Sequence, residues 1–333
     1  MNKSIILGII IGAIIIGGIS FYTTNSNTTI DKDPTTESFK IGIVSWVTNE
    51  EFEKNISSFK KYVQLDDHFN ENNLQFIERI SNADKSKHQE IVQEFIDEKV
   101  DLIFTQTTSG TLAVKEMTKN IPIVFSVVTY PVEAGVINDL EQSGNNIVGT
   151  RNYISIEEQF DFFLEISQVN KIGFIHRENE SNSDIQINEA IEYGNKHGIE
   201  IIDISATSLK DLENKINENI SNVDALYQAC DTLVQSGGEE IAIRIATENN
   251  KPTFSCNLDG VRKGALSGEV ANFADIGKQS GSMAHKILEG RDVRDMKTEV
   301  PDSTYKIINL KTAESLGIEI SKELEYTVSE VVR

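Results

Sequence analysis

Asp231 follows directly on an apolar run at 225–229 and the small Cys230, and a carboxylate held at the end of a buried strand is suited to meet an ammonium. The same placement recurs along the chain with other polar and aromatic types. Gln106-Thr107-Thr108-Ser109 ends one apolar run and opens a helical pattern, so its hydroxyls and the free N–H groups of the helix start could hold a carboxylate. Ser109 would serve equally as an ordinary N-cap. Ser181-Asn182-Ser183 comes after the run at 171–175, Asn257 and Asp259 after the run at 252–256, and Ser45-Trp46 after the run at 40–44. Trp46, the single tryptophan, and Tyr130 offer aromatic planes for a ring or a cation, with core packing as the competing use. Asp231 would alternatively cap the helix that begins near Val234, and Asp259 is equally suited to a turn. Arg151, beside Asn152 and Tyr153, could meet an anionic solute or pair with a nearby acid. Polar groups of this kind, converging with a few aromatics, make a small-solute site.

Catalytic chemistry has no comparable support. The chain has no G-x-x-x-x-G-K-[ST], no strand-to-helix G-x-G-x-x-G, no G-x-S-x-G and no H-E-x-x-H. His68, His88, His176, His197 and His285 show no metal-like spacing and read as surface histidines. Glu157-Glu158 and Glu239-Glu240 fall on predicted helix faces and read as solvated charge. No enzyme activity, metal or cofactor is expected.

The elements that must position these residues alternate. Strands are predicted at 40–44, 74–79, 102–105 and 121–128, with helices at 50–69, 85–98 and 109–118 between them. A second round has strands at 171–175, 200–204, 225–229 and 252–256, separated by helices near 183–197, 208–219 and 234–249. Such alternation predicts α/β architecture with parallel sheets covered by helices on both faces. The rounds echo each other, VDLIFTQTT at 100–108 against VDALYQACD at 223–231, which implies two similar doubly wound lobes. A chain of 333 residues also suits two lobes better than one core. Beyond Asp259, a strand at 265–270, a helix at 276–288, a strand at 305–310 and a short final helix should complete the two sheets. The chain would then cross between lobes several times, and such crossovers act as a hinge. The expected division is 39–150 plus about 259–302 for the first lobe, and 151–258 plus about 303–333 for the second.

The segment IPIVFSVVTYPVEAGVINDLEQSGNNIVG at 121–149 resembles the block IPVVFxxVTDPVxAGLVxSLxxPGxNVTG of the substrate-binding proteins of ABC importers, in the tryptophan/tyrosine-type family. The resemblance extends over roughly 40–320, through VDLIF at 100–104, Asp231-Thr232, IGKQSG at 276–281 and KILEG at 286–290. It implies a type I periplasmic-binding-protein-like fold, and a function of capturing a small organic ligand between lobes for an ABC permease and its ATPase. An amino acid or related compound is the implied solute. Residue by residue, Thr107 and Thr108 stand where the family has Gly-Thr-Pro, Asn182 and Ser183 match its Ala-Asn-Ser turn, and Asp231 with Thr232 matches its Asp-Asn-Thr. Asn257 and Asp259 lie in the position of its acidic loop. Tyr130 departs from the family's Asp and removes a carboxylate that could meet a ligand ammonium. A ligand-binding ectodomain that presents solute to a separate signalling receptor is the alternative reading.

Residues 5–22 form an uncharged apolar run rich in Ile and Gly behind Lys3, long enough to cross ~30 Å of hydrocarbon as a helix. An uncleaved membrane anchor at 1–22 is expected, with a signal peptide as the alternative, and either exports the protein. A lipid anchor is excluded because no cysteine precedes Cys230. The polar stretch 23–38 reads as a flexible tether. A net charge of -21, from 52 acidic and 31 basic residues without a basic cluster, argues against nucleic acid as a partner. A monomer is expected. Cys230 and Cys256 stand at the ends of neighbouring predicted strands, which permits a disulfide in an oxidising compartment, while two small buried thiols are the reading preferred.

Overall fold

The structure, a computed structural model, describes residues 38–65, 68–301 and 304–333. In chain order the elements are β1 (Phe39–Ser45), α1 (Glu50–Val63), β2 (Leu74–Ile80), α2 (Lys85–Asp97), β3 (Leu102–Gln106), α3 (Thr108–Met117), β4 (Ile123–Ser126) and β5 (Ile147–Thr150). There follow α4 (Ile156–Ile166), β6 (Lys171–Arg177), α5 (Ser181–His197), β7 (Glu200–Ala206), α6 (Leu209–Asn219), β8 (Ala225–Gln228), α7 (Gly238–Glu248) and β9 (Thr253–Ser255). The chain ends with α8 (Leu258–Lys263), β10 (Ser267–Val270), α9 (Phe273–Leu288), β11 (Tyr305–Asn309), α10 (Leu310–Leu316), α11 (Lys322–Thr327) and β12 (Glu330–Val332).

The strands form a five-stranded sheet, β2-β1-β3-β4-β5, and a seven-stranded sheet, β12-β11-β10-β9-β8-β6-β7. The first sheet is parallel throughout, and the second is parallel except where β10 meets β11. In β3 and β4 every residue is buried, as a strand covered on both faces requires. Each sheet carries helices on both faces, the two-lobed architecture expected from the alternation.

Helix α1 shows how local sequence sets an element. Asn49 accepts from the Phe52 N–H, acids fill the first turn and Lys60 and Lys61 the last, in the sense the helix dipole favours. Phe52, Asn55, Phe59 and Val63 make the buried stripe. Helix α9 lies against that stripe, and Gly277 and Gly281 allow the approach: a Cβ on Gly277 would overlap the carbonyl oxygen of Asn55, and one on Gly281 that of Phe59. We expect Gly277→Ala to destabilise the fold by about 1–3 kcal/mol through this overlap of packed backbones. A urea midpoint unchanged by the substitution would show that the helices part freely.

Some expectations need correction. Strand β10, expected with the first lobe in 259–302, hydrogen-bonds β9 and β11 and belongs to the second sheet, because it continues the strand–helix–strand run of β9 and α8. Only from α9 onward does this part of the chain pack on β4 and β5, with Ser280 Oγ near Phe125 O and Thr150 Oγ1. The predicted helix 234–249 is a short turn at Val234–Ser236 and a separate α7, divided by Gly237 at φ 118°. The terminal strand β12 was not foreseen. His88, His176 and His285 are buried, not at the surface, and Glu239 is buried rather than solvated. The predicted anchor at 1–22 and the tether up to residue 37 lie outside the described residues. Among the described residues no helix is long and apolar enough to cross a membrane.

Candidate functional site

The carboxyl ends of β3, β4, β6 and β8 converge on a cleft between the two sheets. From the first lobe it is lined by Phe52, Thr107, Thr108, Val127, Thr129 and Asn152. Thr107 sits at φ 68°, a conformation L-residues seldom adopt, and its Oγ1 accepts from Gly110 N at 3.2 Å to start α3. That turn is held from behind by Gln106, which donates to Phe52 O at 3.1 Å and Asn55 Oδ1 at 2.8 Å. Thr129 Oγ1 donates to Asn152 Oδ1 at 2.9 Å. This wall has hydroxyls, an amide and a helix N-terminus, and no charged side chain.

The facing wall is acidic. It is made by Glu180, Asn182, Cys230, Asp231, Thr232 and Gln235. Asp231, 1% exposed, accepts from the N–H groups of Arg177 at 2.6 Å, Val234 at 2.9 Å and Leu233 at 3.0 Å. Glu180, 5% exposed, accepts from Thr232 Oγ1 at 2.5 Å and lies 3.7 Å from Arg177 Nε. Burial, then the charge of Glu180, pushes the Asp231 carboxyl well above the usual range, and burial raises Glu180 as well. Asn182 donates to Cys230 O at 2.8 Å, but its Oδ1 and Gln235 Oε1 are buried without a hydrogen-bond partner. A buried acceptor in that condition is unfavourable until a donor reaches it.

The cleft is shut. About 10 Å³ remains inside, little more than one water. Asn49 Nδ2 on the first lobe donates to Gln235 O at 3.0 Å, and Tyr130 Oη donates to Glu189 Oε2 on α5 at 2.5 Å. Wider hollows elsewhere, about 430 Å³ beside Lys286 and Arg291 and about 280 Å³ beside Tyr153 and Glu189, are open grooves on the outside of the molecule.

Of the residues singled out from the sequence, Thr107, Thr108, Asn182, Asp231 and Thr232 line this cleft. The others are engaged elsewhere. Ser45 hydrogen-bonds Gln106 Oε1, and Trp46 packs in an apolar cluster with Phe52, Val127 and Phe273. Ser109 lies beyond the cap in the first turn of α3. Ser183 Oγ closes its own turn on Arg177 O and Glu180 O. Asn257 caps α8 by accepting from Gly260 N and donates to Glu239, whose carboxyl burial raises to about 7. Asp259 pairs with Lys263 at 2.7 Å. Tyr130 joins Glu189 rather than the cleft. Arg151 donates to Thr129 O at 2.9 Å and stacks over Tyr153. Sequence reasoning missed Glu180, Phe52 and Gln235; an acid two residues before Asn182 on the same turn was the available signal for the first. Cys230 and Cys256 are joined as a disulfide with Cα atoms 5.6 Å apart, tying the ends of β8 and β9 beside the cleft. Among the described residues no group of His, Cys, Asp and Glu could hold a metal ion.

A family model described as ABC transporter substrate binding protein matches residues 40–332. A tyrosine-binding protein of Clostridioides difficile (strain R20291) is 28% identical over 322 residues, 94% of this chain and 92% of that protein. Among solved structures, the ABC domain in complex with L-Trp from Streptococcus pneumoniae has a TM-score of 0.85 at 22% identity, covering 89% of this chain and 100% of the other. The ligand-free, open structure of a substrate binding protein with adhesive properties from Clostridium difficile has a TM-score of 0.70 at 30% identity, over 88% of this chain and 99% of that one.

Proposed function

The chain belongs to the ABC transporter substrate-binding protein family, and we propose that it captures an amino acid outside the cytoplasm and delivers it to an ABC permease and its ATPase. The observation that carries this reading is the division of the cleft. Threonine hydroxyls and the α3 N-terminus face buried carboxylates and an unpartnered Asn182 Oδ1, so the two walls match the two ends of a zwitterion. The relatives named above, one tyrosine-binding and one solved with L-Trp, make those two solutes the first to try. A space of about 10 Å³ admits neither, so the lobes must part at the crossovers, such as those near 151–155 and 271–272, before capture and close afterwards. On this reading the protein acts as a monomer without catalysis, metal or cofactor, held near the membrane by its N-terminal segment.

The test is a thermal-shift screen of amino acids on residues 38–333, which form one compact unit. A solute at a hundred times its dissociation constant should stabilise the fold by about 2.7 kcal/mol. We expect L-tyrosine or L-tryptophan to do so, and a screen in which no amino acid moves the transition would overturn the reading.

A further inference from the structure

Glu180 and Asp231 come from different turns of the second lobe, after β6 and after β8, yet both face the same closed cleft. We infer that Glu180 is a second carboxylate of the ammonium subsite, and that the ligand ammonium takes the place of a proton that Glu180 and Asp231 share, so that capture of an amino acid expels one proton. This rests on the reading of the cleft as an amino-acid site.

Charge has to balance in a small closed space. Among the described residues, the cation beside the pair is Arg177, 3.7 Å from Glu180, with a side-chain exposure of 34%. Asp184, one turn further along α5, adds negative charge near Glu180. The first-lobe wall, from α1, the β3–α3 turn and the loops after β4 and β5, presents Phe52, Thr107, Thr108, Val127, Thr129 and Asn152, none of them charged. The remaining second-lobe groups, Asn182, Cys230, Thr232 and Gln235, are neutral. One guanidinium therefore faces two buried carboxylates. With the cleft shut, an uncompensated charge there is strongly unfavourable, and a proton on the pair removes it. An arriving ammonium removes it too, and brings donors that Asn182 Oδ1 and Gln235 Oε1 lack.

The sign of the linkage follows. Proton and ammonium compete for the pair, so affinity rises with pH until the pair ionises unaided. Burial and mutual repulsion raise Asp231 to about 8, which puts the window across neutral pH. Below it, each pH unit should weaken binding about tenfold.

Calorimetric titration of the protein with L-tyrosine tests this, at several values between pH 5.5 and 7.5 and in two buffers of different ionisation enthalpy. The expected result is a dissociation constant rising about tenfold per unit of acidification, with close to one proton released per tyrosine at the acidic end and less toward pH 7.5 as the pair begins to ionise. Glu180→Gln leaves Asp231 alone with Arg177, so the variant should bind tyrosine with little pH dependence and little proton release. Should that variant fail to fold, the wild-type profile alone decides. Tyrosine bound with a flat profile and buffer-independent heat overturns the shared proton while leaving the amino-acid reading intact. Full proton release retained in Glu180→Gln removes Glu180 from the subsite. Absence of binding by any amino acid at any pH sinks the functional reading itself.

Discussion

Asp231→Ala is expected to abolish amino-acid binding, with affinity falling at least a hundredfold. Removing one partner of a buried ion pair leaves the other charge desolvated and unmatched, and such losses run to about 3–5 kcal/mol. The ammonium would then face Glu180 alone, which Arg177 already partly neutralises. The substitution also has a structural effect, because Asp231 accepts from the N–H groups of Arg177, Leu233 and Val234. Each N–H left buried without a partner costs about 1–3 kcal/mol. Asp231→Asn reduces the structural effect to one bond and removes the charge: its oxygen can still accept from Leu233 and Val234, while the amide nitrogen in place of the second oxygen cannot accept from Arg177 N. Its stability should fall by about 1–3 kcal/mol, less than in Asp231→Ala, while tyrosine binding, followed by calorimetry, is lost. Thr108→Val, by contrast, removes one hydrogen bond to a ligand carboxylate and should weaken binding by about 1.5–3 kcal/mol. Unchanged affinity in Asp231→Asn would mean that the ammonium lies elsewhere and that the cleft has been read the wrong way round.

The alternation of elements and the pairing of lobes were legible because continuous apolar runs and amphipathic helices are local patterns. The site was legible only in part. Every β–α turn in this fold carries polar residues at the carboxyl end of a strand, and the sequence does not tell whether such a side chain turns into the cleft or back onto its own helix. Thr107, Asn182 and Asp231 line the cleft, and all three also bind backbone of their own or a neighbouring turn. Asn257, of the same type and placement, is spent on Gly260 N and on Glu239. Glu180 escaped notice for a different reason. In a chain of net charge -21, an acid in a polar turn reads as solvated, and only the fold brings it beneath Thr232. Tyr130 shows the same limit, since its replacement of an acid seemed to empty the site of charge, whereas its hydroxyl reaches across to Glu189 outside the cleft lining. The acids that face the cleft come from the second lobe. Strand β10 was assigned to the wrong lobe because a single short strand after a crossover carries no mark of which sheet it extends.

Breaking the Cys230–Cys256 disulfide should lower stability by about 3.5 kcal/mol, from the chain entropy regained when a closed loop of this length is opened in the unfolded state. The bonded cysteines are 26 positions apart, and the loop contains the short turn at Val234–Ser236, the α7 helix and β9. Urea unfolding with and without reductant measures this directly, and a Cys230→Ala, Cys256→Ala double substitution should give the same loss. In the oxidised protein, unfolding without reductant should expose no thiol to labelling. Binding should suffer as well. The carbonyl of Cys230 takes the Asn182 amide, its N–H donates to Gln186 Oε1, and Asp231 is the next residue, so the bond fixes the turn that carries the acidic wall. A looser turn must be ordered at the moment of capture, and that ordering is subtracted from affinity. Two labelled thiols in the exported protein, or a urea midpoint indifferent to reduction, would leave the acidic wall to be held by hydrogen bonds alone.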